Sequence, residues 1–143
     1  MSVFTENPCK VCGRYQNRPC VVDGIVLNEK NEILLIRRGR DPEKGKYAFP
    51  GGFIEWDETA EEAVVREVSE ETGLSVLVDS FVGYFDTLNR DRERHTIALV
   101  FRCSVIRKDD VSAGDDADAC AWFSLSQLPE LAFDHAKILS TLI

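Results

Sequence analysis

The stretch GGFIEWDETAEEAVVREVSEETGL, Gly51 to Leu74, constrains the fold more than any other part of the chain. Thr59 with Glu62 three residues on forms a capping box, and Gly73 supplies a C-cap. The interval between them is rich in Ala, Glu, Val and Arg, which predicts a helix of about four turns. Ala60, Ala63, Val64 and Val68 fall within about 100° of Glu67 on that helix, so Glu67 sits in the middle of the apolar stripe. Glu71 shares the arc at about 40° and Glu70 flanks it at about −60°, while Glu61, Glu62 and Ser69 point to solvent. A carboxylate facing a core costs on the order of several kcal/mol unless it is paired, hydrogen-bonded or metal-bound. Arg66 neutralises one of the three, which leaves a need for hard divalent cations with oxygen ligands. Periodicity alone allows a solvated Glu–Ala helix equally well. The preceding Pro50-Gly51-Gly52 favours the site, because paired glycines let backbone carbonyls approach an ion closely.

The rest of the chain fits one folded domain. At 143 residues it has room for one sizeable core, and 44% hydrophobic with 29% charged residues is a globular composition. No apolar run reaches the roughly 20 residues of a membrane helix, and the N-terminus has neither a basic leader nor an apolar core segment, so a cytoplasmic protein is expected. The net charge of −8 argues against nucleic acid or a membrane surface as partner and asks for cations if the ligand is an anion. VVDGIVL and EILLIRR read as strands of a hairpin across NEKN, and YAF as a short strand ended by Pro50-Gly51-Gly52. SVLVDSFVGYFDT, HTIALVFRCSVI and ACAWFSL follow as strands, and SQLPELAFDHAKILSTLI as one or two helical segments. The expected architecture is a mixed α/β sandwich.

The five cysteines suit reduced thiols. Cys103 and Cys120 lie in apolar runs as small buried thiols. Cys9 and Cys12, with Cys20 nearby, have the CxxC spacing of a zinc knuckle, but a structural zinc needs four ligands and His95 and His135 are distant in sequence. A vestigial knuckle over residues 1–20, ahead of a domain over 21–143, stands beside free thiols as a reading.

Gly52, Glu58, Arg66, Glu67, Val68, Glu70, Glu71, Gly73 and Leu74 fall at the defined positions of the Nudix box, and the chain is identified on them as a member of the Nudix hydrolase family. The resemblance implies an α/β/α sandwich with a mixed sheet whose loop-helix-loop holds Mg²⁺ or Mn²⁺ and cleaves a nucleoside diphosphate linked to another moiety. Glu67, Glu70, Glu71 and the Gly52 carbonyl would be the metal ligands. Arg66 would orient the glutamates, Glu58 would anchor the loop, and Gly73 would close the helix.

Beyond the box, GYFDTLNRDRERHTIALVF, AGDDADACAWF and LAFDHAKIL resemble the ADP-ribose pyrophosphatase branch. That branch hydrolyses ADP-ribose to AMP and ribose 5-phosphate, and its small members form homodimers. The resemblance leaves the general base open between a box glutamate and a late-loop acid, here Asp115, Asp116 or Asp118. Arg37, Arg38, Arg90 and Arg94 are candidate diphosphate clamps, of which only one of Arg37 and Arg38 can face a site because they alternate on a strand. Phe49 and Phe85 are candidates to stack on the base, with Tyr47, Phe53 and Tyr84 as further aromatics. His135, in a C-terminal helix, is expected to pack or cap. A modified nucleoside triphosphate or NADH is the alternative substrate, and a non-catalytic nucleotide sensor the alternative class.

Overall fold

A computed structural model describes residues 9–13, 18–91, 94–106 and 117–142. Strand β1 (Cys20–Val26) is buried continuously from Val22 to Val26, and β2 (Glu32–Arg38) from Ile33 to Ile36. Uninterrupted burial marks strands covered on both faces. The hairpin expected between them is reduced to one bridge, Leu27 to Ile33. The turn is built on Asn28, whose side-chain oxygen accepts from the backbone N–H of Lys30 at 3.0 Å and Glu32 at 2.9 Å. The two strands then diverge into separate sheets, each drawing its partners from later in the chain.

β3 (Tyr47–Ala48), β4 (Gly51–Phe53), β5 (Val76–Phe85), β6 (Ile97–Val105) and β7 (Ala117–Ser124) supply those partners. One sheet has the order β4-β1-β6-β5, with β1 and β6 parallel and the other pairs antiparallel; the second has the order β3-β2-β7. Gly51 and Gly52 thus do more than end a strand: they are β4, with Gly51 opposite Asp23 and Gly52 opposite Val22.

Helix α1 (Ala60–Thr72) forms as its caps dictate, with both capping-box bonds present and Gly73 in the left-handed conformation. Val64 and Val68 pack with Val22, Val26, Leu34, Leu74, Val76 and Phe101 on one side of the sheets. On the other side Ile138 and Leu139 of α2 (His135–Ser140) pack with Ile25, Ile33, Leu35 and Phe49. The α/β/α layering follows from β1 itself, whose Val22 and Val26 face α1 while Ile25 faces α2. Among the described residues no helix is long and apolar enough to cross a membrane.

Candidate active site

Helix α1 carries its carboxylates to β4. Its buried residues are Ala63, Val64, Val68, Glu71 and Thr72, so the stripe is turned away from the arc expected around Glu67. Glu71 lies in the core at 6% exposure, Glu67 at its rim, and Glu70 is exposed rather than aimed inward. The displacement arises because the last turn of α1 lies against the backbone of β4, which has no side chain to offer at Gly51 and Gly52. A Cβ on Gly52 would stand 2.5 Å from Glu67 Oε1, and the Gly51 N–H donates to Glu71 Oε1 at 3.2 Å.

Arg66 is the hub of this cluster. Its guanidinium donates to both oxygens of Glu58 at 2.9 and 2.6 Å, to Glu67 Oε1 at 2.9 Å, to Glu70 Oε2 at 3.0 Å and to the Phe53 carbonyl at 3.0 Å. These bonds hold Glu58 down at about 2, below the usual carboxylate range. Glu58 also accepts the Glu55 N–H at 2.9 Å, which ties down the loop ahead of the helix. Burial acts oppositely on the inner pair. It raises the proton affinity of Glu67, and it lifts Glu71 to about 9, assisted by the neighbouring Glu67 carboxylate.

The donor set fits a hard divalent cation: of two desolvated carboxylates only Glu67 reaches the arginine, Glu71 taking the Gly51 N–H, and both lie beside a glycine backbone that a Cβ would obstruct. Among the described residues no three acidic, histidine or cysteine groups already stand arranged as a finished cation site. Arg66 occupies the outward oxygens instead. The same absence leaves zinc at Cys9, Cys12 and Cys20 without support; Cys9 accepts the Val11 N–H in a tight turn and Cys20 lies exposed at the start of β1.

The cluster opens into a cleft of about 600 Å³ lined by both sheets and both flanking loops. Arg38, Phe49, Arg90 and Arg94 line it; Arg37 and Phe85 do not. Strand alternation sends Arg37 outward, and Phe85 packs against the second core cluster. Arg38 lies over the Phe133 ring at 4.9 Å and donates to the Pro42 carbonyl at 2.7 Å, and Arg94 lies over Phe53 at 5.1 Å. Arg90 is committed to a buried bidentate pair with Asp134, at 2.9 and 2.8 Å, and to Thr96 Oγ1 at 2.6 Å. Asp115 and Asp116 lie outside the described residues.

Sequence reasoning missed four contributors. Asp23 and His135 meet at the cleft floor, 3.6 Å apart, and Phe133 and Asp134 brace Arg38 and Arg90. The signal for Asp23 was an aspartate inside the otherwise apolar run VVDGIV; for the others it was the compact segment FDH. Arg18 is the fifth unforeseen residue, donating to the carbonyls of Asp86 at 3.0 Å, His95 at 2.8 Å and Thr96 at 3.3 Å.

Residues 17–142 match the family model described as NUDIX domain. The chain belongs to the Nudix family. It is 49% identical over 125 residues to the ADP-ribose pyrophosphatase of Methanocaldococcus jannaschii, a match covering 87% of this chain and 73% of that one. It is 31% identical over 123 residues to the NAD-capped RNA hydrolase of Pseudomonas aeruginosa, covering 86% of this chain but only 43% of that protein. Among solved structures, a bifunctional NMN adenylyltransferase/ADP ribose pyrophosphatase from Francisella tularensis, complexed with AMP and a Mn ion, superposes with a TM-score of 0.78 at 28% identity. The superposition covers 90% of this chain and 42% of that one. The fold and the box both make this chain a Nudix hydrolase.

Proposed function

We propose that this Nudix hydrolase cleaves the diphosphate bond of ADP-ribose, giving AMP and ribose 5-phosphate, with Mg²⁺ or Mn²⁺ as cofactor. The observation that carries the metal is the desolvated Glu67–Glu71 pair seated against Gly51 and Gly52. The 49% identical ADP-ribose pyrophosphatase supports the choice of substrate. Glu67, Glu71, Glu70 and the Gly52 carbonyl would hold the cation. Bound there, a divalent ion supplies charge neutralisation for the diphosphate and a lowered pKa for the attacking water.

The chain's own residues do the rest. Arg66 holds the glutamates in a fixed spread and Glu58 holds Arg66. Arg38 and Arg94 face the cleft with guanidinium edges suited to phosphate oxygens, and Phe53 offers apolar surface to the base, whereas Phe49 is buried with the His135 ring stacked on it. Arg90 acts through its pair with Asp134, holding the wall that carries Arg94. Asp115 or Asp116 is the proposed acceptor of the water's proton. The assembly that goes with this reading is a homodimer, measurable by sedimentation.

The test is product analysis. Incubated with Mg²⁺ and ADP-ribose, the protein should yield AMP and ribose 5-phosphate in equal amounts. Glu71→Gln should lose on the order of 100-fold or more of the rate, since a ligand to the ion is gone. Pyrophosphate from a nucleoside triphosphate, or faster turnover of NADH, would replace the substrate; an active Glu71→Gln would overturn the metal assignment.

A further inference from the structure

The segment LAFDHAKIL reaches the glutamate cluster through one buried ring. His135, its central residue, is 2% exposed and opens α2 at the floor of the cleft. Its Nδ1 accepts the Phe49 N–H at 3.1 Å, so in the neutral ring the proton sits on Nε2. Nε2 points at Asp23 Oδ2, 3.6 Å away. The ring also lies flat on Phe49, with centroids 4.3 Å apart and planes within 8°. Asp23 is itself nearly buried and pairs in register with Gly51; its Oδ1 would be only 2.5 Å from a Cβ there. The Gly51 N–H in turn holds Glu71 Oε1.

We propose that His135 is a positioning residue for the glutamate cradle, bracing the Phe49–Gly52 turn directly at Phe49 and through Asp23 at Gly51. One imidazole thereby braces two points, Phe49 and Gly51, of the segment that seats Glu67 and Glu71. A brace of this kind matters because Glu71 takes its position from the Gly51 N–H and Glu67 from the bare face of Gly52, so a shift of this segment would move both carboxylates. Both ring nitrogens already face partners within the fold, so the ring's contribution is to geometry and not to proton transfer. The inference rests on the metal reading given above, and it assigns α2 a role in the active site that packing alone does not.

The test compares His135→Phe, which keeps the stacked ring and loses both nitrogen contacts, with His135→Asn, which can restore the acceptor for Phe49. Mn²⁺ binding is measured without substrate, by the resonance of free Mn²⁺, alongside amide exchange at Gly51 and Gly52 in the metal-free proteins. His135→Phe should weaken Mn²⁺ binding roughly 10–100-fold, as loss of an outer-shell partner does. It should also speed exchange of the Gly51 amide, and His135→Asn should recover part of both. A folded His135→Phe with wild-type Mn²⁺ affinity and exchange overturns the proposal. If His135→Phe does not fold, Asp23→Asn takes its place, and wild-type exchange at Gly51 in that variant overturns the relay through Asp23. Failure of the metal reading is distinct: the wild-type protein would bind no Mn²⁺, while the exchange difference at Gly51 would still report the brace.

Discussion

Gly52 has no room for a methyl group, yet what stands in the way is the end of a side chain. A Cβ there would lie 2.5 Å from Glu67 Oε1 and 2.7 Å from its Cδ, and a glutamate can swing aside. Gly52→Ala should therefore fold with a melting temperature close to wild type and lose about 100-fold in kcat, the cost of displacing a site group by about 1 Å. Gly51→Ala differs, because its Cβ would meet the Val22 carbonyl at 2.1 Å and the backbone itself must move. That variant should lose stability first, visible in thermal melts before any assay. Full activity in Gly52→Ala would mean that Glu67 does not need this seat. That Glu67 and Glu71 share the inner face of α1 was legible from helical spacing and the motif. Their depth was not, because it depends on which strand the helix lies against. The burial of Glu71 and the exposure of Glu70 are set by β4, a strand hidden in two glycines that read as a turn.

At the scale of elements, local signals survived and long-range pairings did not. The capping box and Gly73 set both ends of α1 because their hydrogen bonds are local. The partners of β1 and β2 were invisible, since β1 pairs with β6 across more than half of the chain. The same distance hid Arg18, which ties Asp86, His95 and Thr96 together from 68 to 78 residues away. Those carbonyls flank the loop that presents Arg90 and Arg94 to the cleft. Arg18→Ala should leave the box untouched and loosen that loop. We expect KM to rise on the order of tenfold, about 1.4 kcal/mol, with kcat nearly unchanged. Arg18→Lys should not rescue it, because one ammonium cannot match the fork that reaches carbonyls on two sides. A wild-type KM in Arg18→Ala would show that Arg90, through Asp134 and Thr96, secures the loop without Arg18.

For the whole molecule, the burial of a carboxyl at Glu71 links stability to pH. The ordinary carboxyl value is 4.5, whereas folded Glu71 holds its proton to about 9 because burial and Glu67 both disfavour its charge. Between those values the native state binds a proton that the unfolded chain has released, so stability falls as pH rises. The contribution of Glu71 is complete below about 4.5 and gone once pH has passed 9. Glu58 works in the opposite sense: its folded value of about 2 gives stability above 4.5 that disappears as pH falls toward 2, weakened by solvent screening. In chelator, the melting temperature should therefore decline from pH 5 to pH 9. A cation on the box replaces the missing proton, so saturating Mg²⁺ should flatten the decline and stabilise the protein most at the alkaline end. Glu71→Gln, neutral at every pH, should melt higher than wild type in chelator at pH 8 and gain little from Mg²⁺. Thermal melts of the two proteins across this range, with and without Mg²⁺, decide it: a flat or rising wild-type profile in chelator, or the same decline in Glu71→Gln, would assign the linkage to another group.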